Sequence, residues 1–250
     1  MKSCSRKKAM KYYPVNLDIR NRSCLVVGGG SVGARKVRGL LKSGALVQVV
    51  SPDITPDIRE LSETGLITVA MRPYRPSDLE GMFLVIGATS DPVLNRSISR
   101  DAERLNMLCN IADVPDACNF ILPSIVERGD LIIAVSTSGK SPAFAKALRE
   151  KLEKQFGEEY AEFLRLMGAI RAKLLEEEHA PEAHKHLFEA LIEGGLLEMI
   201  RCGSRSDINR LLGNLLGEGF DVDSLAVPTE RETKTANGCY PHRHLTQRNP

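Results

Sequence analysis

The residues best suited to chemistry fall into three groups. In the first, Gly28-x-Gly30-x-x-Gly33 follows an apolar run, Cys24 to Val27, and opens a helical pattern. That is the context a dinucleotide fingerprint needs. Gly28 permits the tight turn, Gly30 lets the backbone approach a pyrophosphate, and Gly33 lets the helix pack on the strand. The helix start adds free N–H groups and about half a unit of positive charge. A second apolar run ends in Ser51-Pro52-Asp53, with Asp53 twenty residues beyond Gly33. An acid at that place accepts hydrogen bonds from the adenosine ribose and repels a 2′-phosphate, which favours NAD over NADP. Gly87-Ala88-Thr89 closes another strand pattern at the same edge. Its small residues would let a cofactor pass close to the backbone, and would equally make a plain tight turn.

The second group centres on Asp113. All five histidines (His179, His184, His186, His242 and His244) lie in the last third of the chain. A proton acceptor in the first half must therefore be a carboxylate, a Tyr or a Lys. Asp113 follows Asn110-Ile111-Ala112 at the end of a strand pattern. It should then sit at the carboxyl edge, where open α/β sheets bind ligands, and an apolar surround would suit it to general-base work. With Pro115 two residues on, the same Asp would also serve simply to begin a turn. The third group is Ser136-Thr137-Ser138-Gly139-Lys140-Ser141-Pro142, between an apolar strand and a helix. Four hydroxyls, an ammonium and a helix start make an anion-binding surface. The GxxxxGK[ST] spacing is absent, so this is not a P-loop. Ser141 before Pro142 is also a good helix cap, and both roles can hold if Ser141 caps while Thr137 faces a ligand.

Other clusters have plainer readings. Arg35, Lys36 and Arg38, and later Lys146, Arg149, Lys151 and Lys154, read as solvated helix faces, and Glu182 to His186 as a wet helix surface. Cys239-x-x-His242-x-His244 has ligand-like spacing in a polar, aperiodic tail with no fixed fourth ligand, so no metal site is expected. The six cysteines include no CxxC pair, which excludes a thioredoxin-like motif and a zinc ribbon. They are expected to be reduced, in a cytoplasmic protein.

These groups need a scaffold. Short apolar runs at 24–27, 46–50, 66–69, 82–86 and 107–111 alternate with helical patterns at 32–42, 54–64 and 91–105. Fully apolar strands alternating with helices predict a Rossmann-like, doubly wound parallel α/β sheet covered on both faces. Thr55 before Pro56, and Asp91 before Pro92, mark helix starts. Two further apolar runs, Phe120–Pro123 and Leu131–Val135, flank a turn at 127–130, and from Pro142 the chain is helical: 143–155, 158–178, 182–193 and 206–216. The expected division is a dinucleotide-binding domain at 1–122, a small dimerisation region at 123–153, a helical C-terminal domain at 154–226 and a disordered tail at 227–250. The composition of the 250 residues, 42% hydrophobic with a net charge of +2, is ordinary globular usage. It argues against nucleic acid as a partner, and no apolar stretch is long enough to span a membrane. The basic N-terminus lacks the apolar core of a secretory signal.

Several segments resemble one family. Gly28-Gly29-Gly30-Ser31-Val32-Gly33-Ala34-Arg35-Lys36 is similar to the glycine turn of precorrin-2 dehydrogenases, including the amino-terminal half of siroheme synthases. Tyr13-Pro14-Val15, Ala88-Thr89-Ser90-Asp91, Asn110-Ile111-Ala112-Asp113, Phe120 to Ser124 and Ser136 to Pro142 follow in the family's order, then Leu148 to Glu153. The resemblance implies NAD-dependent oxidation of precorrin-2 to sirohydrochlorin, with Fe²⁺ insertion by the same cleft in some members. It implies a homodimer formed through about 123–153, Asp113 as general base and Thr137 as the hydroxyl near the substrate. NAD contacts would fall on Ser31, Val32, Pro52 and Asp53, and substrate contacts on Asn110, Ser136, Ser138 and Lys140. Gly33 stands where relatives carry Ala, and Val114 where some carry a second acid. Too few residues follow for the methyltransferase domain of the longer members. An NAD-sensing regulatory module without catalysis would explain the glycines and Asp53 equally well, but not Asp113 or the hydroxyl loop.

Overall fold

A computed structural model describes residues 10–112, 114–176 and 181–225, with the side chains of 181–183 left aside. The chain divides into two compact units. One comprises Met1–Pro123 with Ser136–Pro142, the other Ser124–Val135 with Ala143–Pro250.

The first unit is built on five parallel strands: β1 (Ser23–Gly29), β2 (Leu46–Ile54), β3 (Ile67–Ala70), β4 (Leu84–Gly87) and β5 (Leu108–Ile111), in the order β3-β2-β1-β4-β5. Their side chains alternate between two cores. Cys24 and Val26 of β1, Val47 and Val49 of β2, and Leu84 and Ile86 of β4 pack with Val37 and Leu40 of α1 (Ser31–Lys42) and Ile58 of α2 (Pro56–Glu63). Leu25, Val27, Val50 and Val85 point the other way, onto Ile98 and Ala102 of α3 (Pro92–Arg104). A strand buried on both faces has no polar side to display, which is why these runs are apolar throughout. The order reverses between β1 and β4, so the crevice of the sheet opens at their carboxyl ends.

Among the described residues, the second unit contains an antiparallel hairpin, β6 (Ser124–Arg128) with β7 (Leu131–Val135), and the helices α4 (Pro142–Gln155), α5 (Glu159–Glu176), α6 (Pro181–Glu193), α7 (Leu196–Arg201) and α8 (Arg205–Leu216). Its core joins Leu166, Ile170 and Leu174 of α5 to Leu191, Leu196, Ile200, Ile208 and Leu212. Arg128 ties the hairpin down, donating to the Glu153 carbonyl (2.9 Å) and pairing with Glu158 (3.3 Å).

The structure departs from the sequence reading in three places. The first hairpin strand is Ser124–Arg128 rather than the run Phe120–Pro123, because alternation of exposed and buried positions begins only at Ile125-Val126. The short helix α7 was not anticipated; Gly195, at φ +80°, breaks the chain just before it. His184 is buried on α6 rather than wet, since it shares a stripe with Leu187, Phe188 and Leu191, whereas His186 is exposed. The tail at 226–250, with Cys239, His242 and His244, lies outside the described residues.

Candidate functional site

The glycine turn has a different duty at each position. Gly28 sits at φ +113°, and a Cβ there would meet the Ala88 carbonyl oxygen at 2.5 Å. A Cβ on Gly33 would meet the Gly28 carbonyl oxygen at 2.1 Å, so helix and strand touch at that point. Gly30 differs: no atom lies within 4 Å of its Cβ position. Gly30 is also the N-cap of α1, and no side chain caps that helix. In α3, by contrast, the Asp91 carboxylate accepts from the Val93 and Leu94 N–H groups at 2.7 and 3.2 Å. Of the three helix starts at this edge, α3 is capped by Asp91 and α2 carries Asp57 in its first turn, whereas α1 has no acid in its first turn. Uncapped N–H groups facing open space are what a pyrophosphate requires.

A cavity of about 630 Å³ lies over this turn, lined by Val27 to Val32, Val50 to Pro52, Pro73, Tyr74, Ala88 to Asp91 and Leu94. The sequence-derived positions Gly28, Gly30, Ser31, Val32, Pro52 and Thr89 meet in its wall, with Gly33 packed behind. Asp53 is exposed one residue beyond the last β2 wall position. Buried polar groups hold the wall in place. The Gly29 N–H donates to Ser51 Oγ at 2.9 Å, and that hydroxyl donates to the Asp53 carbonyl at 2.6 Å. Thr89 Oγ1 donates to Asn95 Oδ1 (2.8 Å), and Asn95 Nδ2 returns a bond to the Thr89 carbonyl (3.0 Å). Tyr74 donates to Asp101 at 3.3 Å; burial first, then the Asp101 charge, pushes its phenol well above the usual range. The loop carrying Tyr74 is fixed by Arg72, whose guanidinium spans both Asp78 carboxylate oxygens at 2.9 and 2.6 Å. Those bonds hold the Asp78 carboxyl below its usual range against the opposing effect of burial.

Asp113 itself is outside the described residues; its neighbours are well placed. The Ala112 N–H donates to the Gly87 carbonyl at 2.8 Å, next to the cavity-wall residue Ala88. The Cys118 thiol sulfur accepts from the Ile111 N–H (3.1 Å) and donates to the Val114 carbonyl (3.2 Å) or the Ile111 carbonyl (3.3 Å). The loop between β5 and the next turn is therefore tied to the same sheet edge as the cavity. Asn110 is buried, and its amide donates to the Phe120 carbonyl at 3.0 Å, which anchors that return segment. In the loop 136–142 the Ser141 N–H donates to Thr137 Oγ1 (3.1 Å) and the Ser138 N–H to Ser136 Oγ (3.1 Å). Ser138 holds φ +53°, rare for a side-chain-bearing residue, while Ser136, Ser138 and Lys140 are exposed and Thr137 is half-buried. This loop groups with the first unit, which also carries the cavity.

Ser51, Tyr74, Asn95 and Cys118 escaped the sequence reading. Each works through a partner on another element, which spacing along one element does not reveal. Among the described residues, no group of three His, Cys, Asp or Glu side chains is arranged to hold a metal, and no helix is long and apolar enough to cross a membrane.

Residues 15–124 match an NAD(P)-binding family, and 128–155 match the family described as sirohaem biosynthesis protein, central. The siroheme synthase of Photobacterium profundum is 35% identical over 206 residues, 82% of this chain and 44% of that one. The siroheme synthase of Nitrosomonas eutropha is 37% identical over 213 residues, 85% of this chain and 45% of that one. The chain thus spans less than half the length of these curated relatives. A solved structure, SirC, precorrin-2 dehydrogenase, superposes with a TM-score of 0.69 at 27% identity, covering 82% of this chain and 98% of that one. The unit that carries this cavity is accordingly an NAD(P)-binding one. With its NAD(P)-binding unit and sirohaem central segment, the chain belongs to the family of the siroheme synthases and the SirC precorrin-2 dehydrogenase.

Proposed function

We propose that this chain oxidises precorrin-2 to sirohydrochlorin with NAD⁺ in siroheme biosynthesis. The observation that carries the proposal is a juxtaposition in the first unit. The strand end that walls the dinucleotide cavity at Ala88 is hydrogen-bonded, through Gly87, to the segment that leads into Asp113. NAD⁺, when bound, supplies the hydride acceptor. The chain's own residues do the rest. Uncapped N–H groups of α1 hold the pyrophosphate, Ser31, Val32, Pro52 and Thr89 line its path, and Asp53 accepts from the ribose hydroxyls, selecting NAD over NADP. Asp113 takes the proton released from the macrocycle, and Thr137, with Ser136, Ser138 and Lys140, meets the substrate's carboxylate periphery. Asn110, expected at the substrate, is buried and donates to the Phe120 carbonyl, which suits it to positioning rather than contact. A regulatory module without catalysis is the less favoured reading, since the structural neighbour is a dehydrogenase over nearly its whole length.

The test is anaerobic incubation with NAD⁺ and precorrin-2, following the sirohydrochlorin spectrum. Wild type should turn over, whereas Asp113→Ala should bind NAD⁺ normally and lose oxidation by two or more orders of magnitude. Wild-type-like turnover by that variant would refute the base assignment. Fe²⁺ enters the reading only as a substrate: one carboxylate that removes a proton from carbon can also take pyrrole N–H protons, with the tetrapyrrole nitrogens as the metal's ligands. Feeding sirohydrochlorin and Fe²⁺ without NAD⁺ tests that step.

We also assign a homodimer to the second unit. Ile125, Glu127, Ile132 and Ala134 share the exposed face of the hairpin, with Ile125 46% and Ile132 52% exposed, and Phe144 of α4 is 60% exposed. A two-stranded sheet with an apolar outer face gains most from a second copy of itself. We place the reaction in the cytoplasm, where Cys24, Cys109, Cys118 and Cys202, all free thiols, would persist reduced.

A further inference from the structure

A second cavity, of about 400 Å³, lies between α3 and the turn after β5. One wall is the helix stripe Val93, Arg96, Ser99 and Arg100; the other is Val114, Asp116 and Ala117 of the turn after β5. The Ser99 hydroxyl donates to the Ala117 carbonyl at 2.9 Å and pins the two walls together. Its lining neighbours both halves of the proposed chemistry along the chain. Val93 faces it while the next residue, Leu94, lines the dinucleotide cavity, and Val114 is the residue that follows Asp113.

Its charge is unbalanced. Arg96 and Arg100 stand four residues apart on α3, a spacing at which like charges repel along a helix. Both are exposed, and neither is in an ion pair or hydrogen bond among the described residues. Arg104, one turn further, pairs with Asp101 at 3.4 Å. The cavity's one carboxylate, Asp116, is exposed and joins neither arginine in an ion pair within 4 Å among the described residues. Two guanidiniums lining one cavity with Val93, Val114 and Ala117 match a ligand part with aliphatic arms that end in carboxylates.

We propose that this cavity is a substrate subsite: it receives a peripheral pyrrole ring of the tetrapyrrole, with Arg96 and Arg100 pairing with its carboxylate arms. The inference rests on the precorrin-2 reading above and adds specificity-determining residues to it. A macrocycle held beside Val114, the residue that follows Asp113, would bring one of its rings to this cavity.

The test uses the full chain with Arg96→Gln, Arg100→Gln and the double variant, at saturating NAD⁺. Each single change should raise KM for precorrin-2 about tenfold and the double change further, with kcat, NAD⁺ affinity and melting temperature held. Lysine at both positions should recover much of the loss, and Arg104→Gln should behave as wild type. An equilibrium titration with sirohydrochlorin, read by absorbance, should show the same weakening. If wild type turns over and the double variant keeps its KM and its sirohydrochlorin affinity, the subsite is overturned and the parent reading stands. If wild type neither oxidises precorrin-2 nor binds sirohydrochlorin, both fall.

Discussion

Replacing single glycines of the turn by alanine separates folding from cofactor binding. At Gly30 an added Cβ meets nothing within 4 Å, and the backbone, at φ −78°, is one that alanine adopts freely. Losing a glycine N-cap and gaining a stiffer unfolded chain nearly offset each other, so stability should move by no more than about 1 kcal/mol. The same methyl projects into the space above α1 that the pyrophosphate must enter, and NAD⁺ affinity should fall at least tenfold, about 1.4 kcal/mol. Gly28 gives the opposite pattern. Alanine at φ +113° is strained by roughly 1–3 kcal/mol, and its Cβ would sit 2.5 and 2.7 Å from the Ala88 carbonyl oxygen and carbon. Those are backbone atoms of the neighbouring strand end, so β1 and β4 must part. A total near 3 kcal/mol corresponds to a melting temperature lower by roughly 6–12 °C. Differential scanning calorimetry and an NAD⁺ titration by fluorescence read the two effects. If Gly30→Ala binds NAD⁺ like wild type, or if Gly28→Ala melts with it, the division of labour inferred for the turn is wrong.

Other substitutions probe the groups around it. Asp53→Ala should weaken NAD⁺ about tenfold and leave NADP⁺ nearly unchanged, narrowing the preference; equal losses for both would remove Asp53 from the ribose. Asp78→Asn breaks a bidentate pair whose carboxylate is buried and should cost about 2–3 kcal/mol at neutral pH. Because the folded Asp78 carboxyl titrates below its unfolded value of about 3.9, its contribution is complete above that pH and is lost as pH falls below it. The melting-temperature gap between wild type and Asp78→Asn should therefore close on acidification from pH 5 to pH 2, and a gap that stays constant would refute the pairing. Ile132→Glu, opposite Glu127 on the exposed hairpin face, should shift the chain from dimer to monomer in light scattering without lowering NAD⁺ affinity.

The glycine turn was legible because its chemistry is carried by the backbone. Where no Cβ is tolerated, or where none must intrude, the sequence has to show glycine, and the strand before and helix after complete the signal. The parallel sheet was legible for a related reason: strands covered on both faces show unbroken apolar runs. The clamps were not. Ser51 reaches from β2 to Gly29, Asn95 from α3 back to Thr89, and Cys118 from a turn to the end of β5. Ser, Asn and Cys at such places look like any loop or helix residue until the fold delivers their partners. The same holds for Asp78, a surface-looking acid that the fold buries beneath Arg72.

That contrast bears on how the site works. The order β3-β2-β1-β4-β5 leaves the carboxyl ends of β1 and β4 side by side with helices departing to opposite faces, so a crevice opens there whatever the side chains are. Of the helix starts at this edge, α1 alone has neither a capping side chain nor an acid in its first turn, since Asp91 caps α3 and Asp57 stands in the first turn of α2. Side chains then add what a backbone cannot: the hydroxyl of Ser51 and the amide of Asn95 fix the two walls, and the Cys118 thiol holds the strand end that leads to Asp113. In the proposed reading main-chain N–H groups hold the pyrophosphate and Asp53 the ribose, which leaves the basic residues around the crevice for the second reactant. In that reading Arg96 and Arg100, in no ion pair among the described residues, serve the anionic second reactant.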